Sequence, residues 1–577
     1  MDLTNRDVAK LLRNVAAALT LKKASIFQIR AYETAADAIE HLTSEVKDLW
    51  EEGKLAEVPG VGKNLSEHLN ELFSTGKVAH FESLTKDLPP VFFEALDIPG
   101  VGPKTAQRIL SLKVQNLEEL KQRLEDGSLI KEGFSEKLAE NILLGLKDTN
   151  SEKDRMLLPF AEELAAKILD YLRKSPDVKQ ADCLGSLRRK VATIGDLDFA
   201  VASDNPEKAI KYFVKMPGIS RIVDQGENKA MVMLTSHLQI DLLVGKPKNY
   251  GNLLQHFTGS KHHNISLRKL AEDKGYSISE YGVKKLKTAV IECKTEEEVY
   301  SLLDMQTPPS EIREDAGEIE AALKHQLPQL IPYGSLKGDL HLHSSYPIEP
   351  SHDLGRDSME DMVKRALALG YKYLGFSDHS PATSNHSKPK IIDILKKRSA
   401  FIDKLKLKYA GKIEILAGLE ADIQPDGSIS VPDEGLKLLD YCIVGVHSAH
   451  RMEQSKMTAR ILKALSNPYV QILAHPTGRL LNQRPSFEAD WAKVFEFCAK
   501  KGKILEINSF PDRLDLRDDL VRQAISKGVK LVIDSDAHGL EQMDQLDYGV
   551  AVARRGWATS ADIINTYGFK DLLDVLK

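Results

Sequence analysis

Two aspartates separated by one apolar residue could hold a metal ion for catalysis. Asp196 and Asp198 flank Leu197, and an apolar run continues from there to Val201. Residues i and i+2 of a β-strand point to the same side of a sheet, so the spacing predicts two neighbouring carboxylates. Carboxylates held that close repel each other unless a hard cation such as Mg²⁺ lies between them. The pair predicts a metal site, and an acidic surface turn is the alternative.

Phosphate-binding groups directly precede this pair. Gly185 and Ser186 form a predicted turn with exposed backbone amides, and the guanidinium of Arg189 follows. Amides in a turn and a guanidinium both hold phosphate oxygens. Asp241 lies in a later apolar run, His237 to Val244, and is the natural third carboxylate. Together these residues indicate nucleotidyl transfer with two metal ions.

A series of histidines and carboxylates closes short apolar runs in the C-terminal half. The first two histidines share one face of their predicted strand. The series consists of His341, His343, His379, Glu420, His447, His475, Asp536 and His538. Mixed histidine and carboxylate ligation suits Zn²⁺, Mn²⁺ or Fe²⁺. Several metals in one site would polarise a phosphate and generate a hydroxide nucleophile. The alternative is that each histidine is an ordinary hydrogen-bonded core residue, as a single buried histidine usually is.

The elements around this series predict a barrel. Strands alternate with helices at intervals of about 30 residues, which is typical of a (βα) barrel with its active site at the C-terminal strand ends. Near the N-terminus the pattern is helical, with one internal repeat: Val58-Pro59-Gly60-Val61-Gly62 recurs as Ile98-Pro99-Gly100-Val101-Gly102. Glycines in such turns let amides at a helix N-terminus approach an anion.

The two turns resemble helix-hairpin-helix motifs, which grip the DNA backbone without reading its sequence. An ordinary glycine-containing helix connection is the alternative. The predicted DNA-binding residues are Gly60, Gly62, Gly100, Gly102 and Lys104.

Composition narrows the function classes. A chain of 577 residues exceeds the size of one hydrophobic core, so we expect several domains. Its net charge is only -5, so contact with nucleic acid must come from local basic patches. Four scattered cysteines suit a reducing cytoplasm. The N-terminus is not that of a signal peptide, and no apolar run approaches the roughly 20 residues that span a membrane.

The first 330 residues resemble the family X DNA polymerases, the group that includes DNA polymerase beta. The residues that carry the resemblance are the two hairpin turns, Gly185-Ser186 with Arg189, Gly195-Asp196-Leu197-Asp198, Asp241, and Phe257-Thr258-Gly259-Ser260 followed by Asn264 and Arg268. The resemblance implies that Asp196, Asp198 and Asp241 hold two Mg²⁺ or Mn²⁺ ions. Its implied nucleotide-binding residues are Gly185, Ser186, Arg189, Gly195, Phe257, Gly259, Asn264 and Arg268.

Three departures from that family bear on activity. His68 stands where the family's lyase lysine would lie, and Gln28 and Asn64 replace two nearby lysines. A Schiff base needs a primary amine, so we expect deoxyribose-phosphate lyase activity to be weak or absent. Gln239 replaces an arginine beside the catalytic aspartates, and His256 replaces a tyrosine of the sugar-binding wall.

The histidine series resembles the PHP (polymerase and histidinol phosphatase) domain, a distorted (βα)₇ barrel with up to three metal ions. The family often carries a Ser-Asp-Gly soon after the first His-x-His, and this chain does not. The resemblance implies that an insertion shifts that ligand to Asp353, with Glu349 and His352 as alternatives. With eight other ligands present, the resemblance implies an active phosphoesterase using Mn²⁺, Zn²⁺ or Fe²⁺.

Together the two halves resemble bacterial family X polymerases with a C-terminal PHP domain. The expected fold is multidomain α+β and α/β. Its predicted parts are a helical DNA-binding domain (1–90), a fingers-like helical subdomain with the second helix-hairpin-helix (91–150), a nucleotidyltransferase palm with a mixed sheet (151–260), a thumb (261–330), a linker (331–337) and the PHP barrel (338–577).

The expected function is gap-filling DNA synthesis in base excision repair, coupled to a PHP-domain 3′–5′ exonuclease that cleans 3′ ends. The expected substrates are gapped or primed DNA and dNTPs, and the expected protein is a monomer in the cytoplasm, at the nucleoid, with no membrane contact. The alternatives are a non-polymerase nucleotidyltransferase, a DNA-binding scaffold with a relic barrel, and a PHP phosphatase with a DNA-binding N-terminal region.

Overall fold

The chain divides into two compact units, Met1–Asp154 and Arg155–Lys577, in the computed structural model. The residues that the structure describes are 5–40, 46–51, 53, 55, 58, 60–96, 98, 101–132, 134, 138–139, 142–143, 155–235, 238–285 and 290–577. Within these ranges no helix has both the length and the apolar character needed to cross a membrane.

The first unit is helical in its described residues. Its helices are α1 (Asn5–Leu21), α2 (Ile26–Glu40), α3 (Val46–Glu51), α4 (Lys63–Thr75), α5 (Ala79–Thr85), α6 (Pro90–Leu96), α7 (Pro103–Ser111), α8 (Leu117–Glu125) and α9 (Ser128–Lys131). One apolar cluster joins α1 and α2 to α4, and a second surrounds Phe92 and Ile109 between α6 and α7. Each repeated turn therefore connects to a helix that is anchored in its own core.

The second unit begins with a five-stranded mixed sheet. Its strand order is β2-β4-β7-β6-β5, in which only β4 and β7 run parallel. The strands are β2 (Gln180–Cys183), β4 (Leu197–Ala202), β5 (Ile219–Gln225), β6 (Lys229–Leu234) and β7 (Gln239–Gly245), and a short pair is formed by β1 (Met156–Leu157) and β3 (Thr193–Ile194). Helices α10 (Leu158–Arg173) and α12 (Pro206–Phe213) contribute to the apolar core around Phe199.

A smaller α+β region follows. It contains α13 (Tyr250–Thr258), α14 (Lys261–Asp273), α15 (Glu296–Ser301) and α16 (Glu318–Leu323), with an antiparallel sheet of β8 (Tyr276–Ser279), β9 (Gly282–Lys285) and β10 (Val290–Ile291). Its core centres on Tyr300, which is fully buried. His263, Glu318 and Tyr300 form a buried chain in which the two imidazole nitrogens lie 2.6 Å and 2.9 Å from their partners.

The C-terminal part is a parallel barrel. Its strands are β11 (Gly338–Leu342), β12 (Tyr373–Phe376), β13 (Glu414–Ala417), β14 (Glu420–Asp422), β15 (Ile443–Gly445), β16 (Ile472–Leu473), β17 (Ile504–Asn508) and β18 (Leu531–Asp534). Every pairing is parallel. Only Gly418 and Leu419 separate β13 from β14, so these two strands occupy one barrel position. A bridge between Leu342 and Ala537 joins the first strand to the last, which yields seven positions, as predicted.

Helices surround these strands. They are α17 (Met359–Ala368), α18 (Lys388–Lys408), α19 (Asp433–Leu436), α20 (Gln454–Leu465), α21 (Trp491–Lys501), α22 (Asp518–Ser526), α23 (Leu546–Arg555) and α24 (Phe569–Leu576). His341 lies in β11, Glu420 begins β14, and the other six residues of the series follow strands, so the fold gathers the series at one end of the barrel.

The segment predicted as a linker, 331–337, is bonded to the barrel. The Ile331 amide donates to the Ala558 carbonyl at 2.9 Å, and the Lys337 amide donates to the Asn565 carbonyl at 2.8 Å. Ile331 is buried in the apolar cluster that also contains Phe199 and Ile563. The mixed sheet and the barrel therefore share one continuous core.

Gly60 offers a test of the first repeated turn. Its φ is +81°, and a Cβ there would lie 2.9 Å from Thr34 Cγ2. Gly76 has a similar φ of +77° but open space around it. We expect Gly76→Ala to cost about 1–2 kcal/mol of local stability from φ strain, and Gly60→Ala to cost about 1–3 kcal/mol more from the contact with α2.

Hydrogen exchange by mass spectrometry on the full-length chain measures this as the opening free energy of peptides from α2 and α4. Equal losses in the two variants would show that the turn does not pack against α2.

Candidate metal centres

The three predicted aspartates meet at the ends of two neighbouring parallel strands. Asp198 of β4 lies opposite Asp241 of β7 in register. Asp196 lies in the bend directly before β4, because the strand begins at Leu197. The sequence interpretation that both members of the first pair lie within one strand was therefore wrong by one residue. The three carboxylates still converge, since Asp196 and Asp241 both act electrostatically on Asp198.

Burial and like charge shape this cluster. Burial first, and then the charges of Asp196 and Asp241, raise the pKa of Asp198 to about 7. Lys229 Nζ lies 3.2 Å from Asp241 Oδ2, and Gln239 Nε2 donates to Asp241 Oδ1 at 3.1 Å. One lysine does not balance three carboxylates, so this donor set fits divalent cations that bind carboxylate oxygens. Sequence reasoning missed Lys229, which only the register of β6 against β7 brings to the site.

The Gly185-Ser186 segment is one turn of helix, α11 (Gly185–Arg188), and not the turn predicted. Gly185 has a φ of +55°, and a Cβ there would collide with the Asp198 carboxylate. A side chain is therefore excluded where the backbone passes the aspartates. Gly195 is similarly crowded, since its Cβ would lie 2.9 Å from Arg155 Nη1.

Arg189 follows α11 and reaches the same site, because its charge acts on Asp198. Its Nη1 donates to the Thr258 carbonyl at 2.6 Å. Gly259, with a φ of +69°, lies against this guanidinium, since a Cβ there would be 3.1 Å from Nη1. The structure thus brings together Arg189 and Gly259, which lie far apart in the sequence.

Asn264 and Arg268 lie on α14, at the helical spacing that was predicted. Asn264 Nδ2 donates to the His256 carbonyl at 2.6 Å, and Asn264 Oδ1 accepts from Gln255 Nε2 at 2.8 Å. Arg268 Nε donates to the Asn264 carbonyl at 3.1 Å. These bonds fix both side chains beside the turn after α13.

Phe257 and His256 form the end of α13, with ring centroids 4.8 Å apart. Burial lowers the pKa of His256, which favours the neutral imidazole. Phe257 is only partly buried, so its ring lines the surface of the site.

Glu420 is the centre of the second cluster. Its carboxylate is buried at the start of β14, and five imidazole groups surround it, of which His343 is the most distant, with Nε2 3.6 Å from Oε2. The distances from its nearer oxygen to the histidine nitrogens are 2.8 Å for His379 Nδ1, 2.8 Å for His475 Nε2, 3.1 Å for His447 Nε2 and 3.3 Å for His341 Nε2. Asp536 lies on the other side, 3.1 Å from His343 Nε2.

The polar atoms of this cluster lack ordinary partners. Within the described part of the chain, buried side-chain nitrogens and oxygens without a hydrogen bond include His341 Nε2, His343 Nδ1 and Nε2, His379 Nδ1, Glu420 Oε2, His447 Nε2 and His538 Nε2. Unpaired buried polar atoms are costly and rare in native proteins. Converging imidazole and carboxylate donors of this kind fit divalent metal ions. Among the described residues, four groups of three have ligand atoms close enough for one ion each: His343 with His379 and His538, His341 with His343 and Asp536, His352 with Asp422 and His447, and His379 with Glu420 and His447.

Electrostatics attract positive charge to this site. Burial alone would lower the pKa of His379 and His447, but Glu420 and neighbouring carboxylates raise these pKa values to about 10 and about 9. Burial and Arg513 instead lower the pKa of His475 to about 3. The cluster therefore favours added positive charge around Glu420, which divalent cations would also supply.

Two carboxylates that sequence reasoning did not assign to the site orient the histidines. Glu506 Oε1 lies 2.5 Å from His341 Nδ1, and Glu506 Oε2 accepts from the His475 amide. Asp422 Oδ1 lies 2.7 Å from His447 Nδ1. Such partners fix the ring and leave the other nitrogen for a metal. Asp422 ends β14, which is the signal by which other ligands were found, whereas Glu506 lies in the middle of β17 between Leu505 and Ile507.

Asp353, the first candidate for the shifted ligand, lies near two histidines of the cluster. Asp353 lies 3.6 Å from His379 Nε2 and 3.5 Å from His538 Nε2, and its neighbouring histidines hold its pKa well below the usual range. His352, an alternative, pairs with Asp422 at 2.9 Å. Glu349, the other alternative, lies 3.2 Å from His386. Asp353 and His352 therefore both lie beside the cluster, with the His352 ring centroid 4.5 Å from that of His447, and Asp353 stays a prediction for the shifted ligand.

A cleft of 440 Å³ opens onto these ligands. Arg484 and Arg513 line it together with His450, opposite His352 and Asp353. Arg513 Nε lies 3.4 Å from Asp536 Oδ2. The cleft thus combines predicted metal ligands with two guanidinium groups, an arrangement suited to a phosphate ester.

The repeated turns present helix N-termini. Gly62 and Gly102 are the N-cap residues of α4 and α7, and neither helix receives a side-chain cap. The first amides of each helix are therefore available to an anion. Lys104 lies in the first turn of α7. Gly100 lies outside the described residues.

His68, on α4, lies against the side chains of two aromatic neighbours, Tyr32 and His80. Its Nδ1 is 3.3 Å from Tyr32 Oη, and its ring stacks on His80 at 4.9 Å. Burial and the charge of His80 lower the pKa of His68. An imidazole in this position cannot form the imine that a primary amine forms.

Family models match four stretches of the chain. They are described as a helix-hairpin-helix domain (residues 3–78), a SAM-like helix-hairpin-helix tandem (92–148), the DNA polymerase beta thumb (253–314) and the PHP domain (339–510).

Curated relatives cover either the whole chain or one half of it. The chain is 32% identical over 577 residues to the DNA polymerase/3′-5′ exonuclease PolX of Bacillus subtilis, and the match covers 99% of each protein. It is 27% identical over 303 residues to DNA polymerase lambda of Rattus norvegicus, covering 47% of this chain and 50% of the relative. It is 28% identical over 208 residues to a protein of Acetivibrio thermocellus named as a probable phosphatase, covering 35% of this chain and 78% of that one.

Glu506→Gln tests the assignment of the second cluster. The amide cannot hold His341 as a carboxylate does, so we expect Mn²⁺ affinity, measured by titration calorimetry, to fall about 10- to 100-fold. Glu496→Gln, on the exposed surface of α21, is the control and is expected to bind normally. Unchanged affinity in Glu506→Gln would contradict the role of this carboxylate.

His68 generates a second test. Wild-type protein incubated with an incised abasic site and borohydride is expected to form no trapped adduct, because position 68 lacks an amine. His68→Lys is the comparison, since it restores an amine between Tyr32 and His80. A covalent adduct with the wild type would show that another lysine supplies the Schiff base.

Proposed function

Because this chain belongs to the bacterial family X DNA polymerases that carry a PHP domain, we propose that it fills short gaps during DNA repair and trims the same strands from their 3′ ends. It is a DNA polymerase with a 3′–5′ exonuclease activity, and it depends on divalent metal ions. The observation that carries the proposal is the presence of two separate clusters of metal-type donors in one chain, at Asp198 and at Glu420.

In the palm, Asp196, Asp198 and Asp241 would hold two Mg²⁺ or Mn²⁺ ions. Bound there, such ions stabilise the charge that develops when a 3′-hydroxyl displaces pyrophosphate from a dNTP. The amides at the start of α11 and the Arg189 guanidinium would hold the triphosphate oxygens. Gln239 and Lys229 orient Asp241 and offset part of its charge, in the place where related polymerases use an arginine.

The remaining nucleotide contacts lie around the end of α13. Phe257 and Gly259 would form the wall beside the sugar, and Gly195 would let the phosphates approach the backbone. Asn264 and Arg268, fixed on α14, would face the minor groove of the nascent pair. His256, neutral by burial, alters the sugar wall relative to a tyrosine.

In the barrel, the eight-residue series and Asp353 would hold up to three Mn²⁺, Zn²⁺ or Fe²⁺ ions. Ions bound there polarise a phosphodiester and supply a hydroxide nucleophile. Glu506 and Asp422 orient His341 and His447, and Arg513 and Arg484 would bind the phosphates of the strand that enters the cleft.

The helix-hairpin-helix turns would hold the DNA backbone through the amides after Gly62 and Gly102, with Lys104 adding charge. We propose the division into a DNA-binding domain (1–90), fingers (91–150), palm (151–260), thumb (261–330), connecting segment (331–337) and PHP domain (338–577). The proposed partners are gapped or primed DNA and dNTPs, and the protein would work as a monomer in the cytoplasm, at the nucleoid.

Two double variants separate the activities. Asp196→Ala with Asp198→Ala is expected to abolish extension of a primer on a one-nucleotide gap, at least 10³-fold, while 3′–5′ degradation persists. His341→Ala with His343→Ala is expected to abolish degradation and leave extension intact.

A 5′-labelled primer, incubated with Mn²⁺ and with or without dNTPs, shows both activities on one gel. If either double variant lost both activities while it remained folded, the assignment of two independent sites would be refuted. Absence of extension by the wild type would favour a nucleotidyltransferase that does not act on DNA.

A further inference from the structure

The C-terminal barrel reaches into the surroundings of Arg189, the arginine assigned to the triphosphate. Arg555, the last residue of α23, is a barrel residue whose side chain is only 10% exposed. Its Nη1 donates to the Arg189 carbonyl at 2.8 Å. The same nitrogen lies 3.0 Å from Glu314 Oε1.

Glu314 connects the two arginines. Its Oε1 accepts from Arg189 Nε at 2.9 Å as well as from Arg555 Nη1. Two guanidinium groups this close repel each other, and the shared carboxylate is what holds them in contact. Asp518 anchors Arg555 from the other side, 2.7 Å from both Nε and Nη2.

This arrangement leaves one edge of Arg189 for a ligand. Arg189 Nε donates to Glu314, and Arg189 Nη1 donates one of its two hydrogens to the Thr258 carbonyl. Among the described residues no protein group bonds to Nη2. Arg189 is also one of the cations that lower the pKa of Asp198, and Gly259, beside the same guanidinium, would place a Cβ 3.1 Å from its Nη1, so the arginine lies between the aspartates and the end of α13.

We propose that Glu314 and Arg555 are positioning residues for nucleotide binding, so that the PHP barrel sets the affinity of the polymerase site for the triphosphate. The proposal rests on the polymerase function given above. Arg555 fixes Arg189 at its backbone carbonyl and, through Glu314, at its guanidinium. Without Arg555, the Arg189 carbonyl loses its donor and Glu314 is held by Arg189 alone, so the guanidinium is no longer fixed in one position.

A neighbouring ion pair provides a matched control. Arg554 precedes Arg555 on α23, and its Nε donates to Glu311 Oε1 at 2.7 Å across the same interface. Its Nη1 donates to the Ile331 carbonyl at 2.8 Å. This pair also joins the barrel to the preceding region, but it makes no contact with Arg189. Loss of Arg554 loosens the interface without touching the nucleotide-binding arginine.

The experiment is steady-state filling of a one-nucleotide gap by full-length protein, with separate kcat and KM for the dNTP. We expect Arg555→Met and Glu314→Gln each to raise KM about tenfold, the effect of losing one charge-assisted hydrogen bond, with kcat changed less than about twofold. Because both residues act through Arg189, we expect the KM of the double variant to be about equal to the higher KM of the two single variants. Arg555→Lys, which keeps the charge, is expected to restore part of the affinity.

The 3′–5′ exonuclease rate without dNTP reports whether the barrel remains folded, and it is expected to match the wild type in each variant. A KM effect in Arg554→Met equal to that in Arg555→Met, or a wild-type KM in Arg555→Met, would overturn the proposal. If Arg555→Met lost its exonuclease, Arg555→Lys and Glu314→Gln would decide, and unchanged KM in both would overturn it. Failure of the wild type to extend the primer would instead refute the polymerase function on which the proposal rests.

Discussion

A buried carboxylate surrounded by imidazoles, several of whose ring nitrogens have no hydrogen-bond partner, is the constraint on which the second half of this molecule depends. Glu420 cannot stay in the interior of a barrel without compensation, and the histidines around it cannot all be protonated, since several lie against each other. Divalent ions resolve both problems, because they replace protons as the source of positive charge. The strand ends, the carboxylates that orient the histidines and the arginines of the cleft all follow from that requirement.

The palm also contains buried carboxylates that require added positive charge, but fewer of them. Three carboxylates converge with one lysine nearby, and burial raises the pKa of the central one to about 7. Gly185 is necessary because a side chain there would occupy the space of the Asp198 carboxylate. The two centres differ in ligand chemistry: oxygen ligands near a phosphate-binding helix suit transfer of a nucleotide, and mixed ligands in a closed cleft suit hydrolysis.

Residue type and local pattern predicted much of both sites. Most of the eight-residue series follows from positions at the ends of apolar runs, where the backbone determines the direction of a side chain. The three aspartates lie in or directly beside apolar strands, and Asp353 was proposed only from the family resemblance. The one-turn helix at Gly185 was not predicted, because four residues carry too little periodicity. Lys229 depends on strand register, and the contact of Arg555 with Glu314 depends on packing between distant regions. Such contacts leave no local pattern in a single sequence.

The central claim is that one chain lengthens and shortens the same 3′ end at two metal centres. The most direct measurement follows a 5′-labelled primer on a gapped duplex, with Mn²⁺ and wild-type protein, over a series of dNTP concentrations. The account predicts a crossover: the labelled strand shortens without dNTP and lengthens as the dNTP concentration rises through the KM of the polymerase site. A strand whose length changes in only one direction, or in neither, at every dNTP concentration would contradict it.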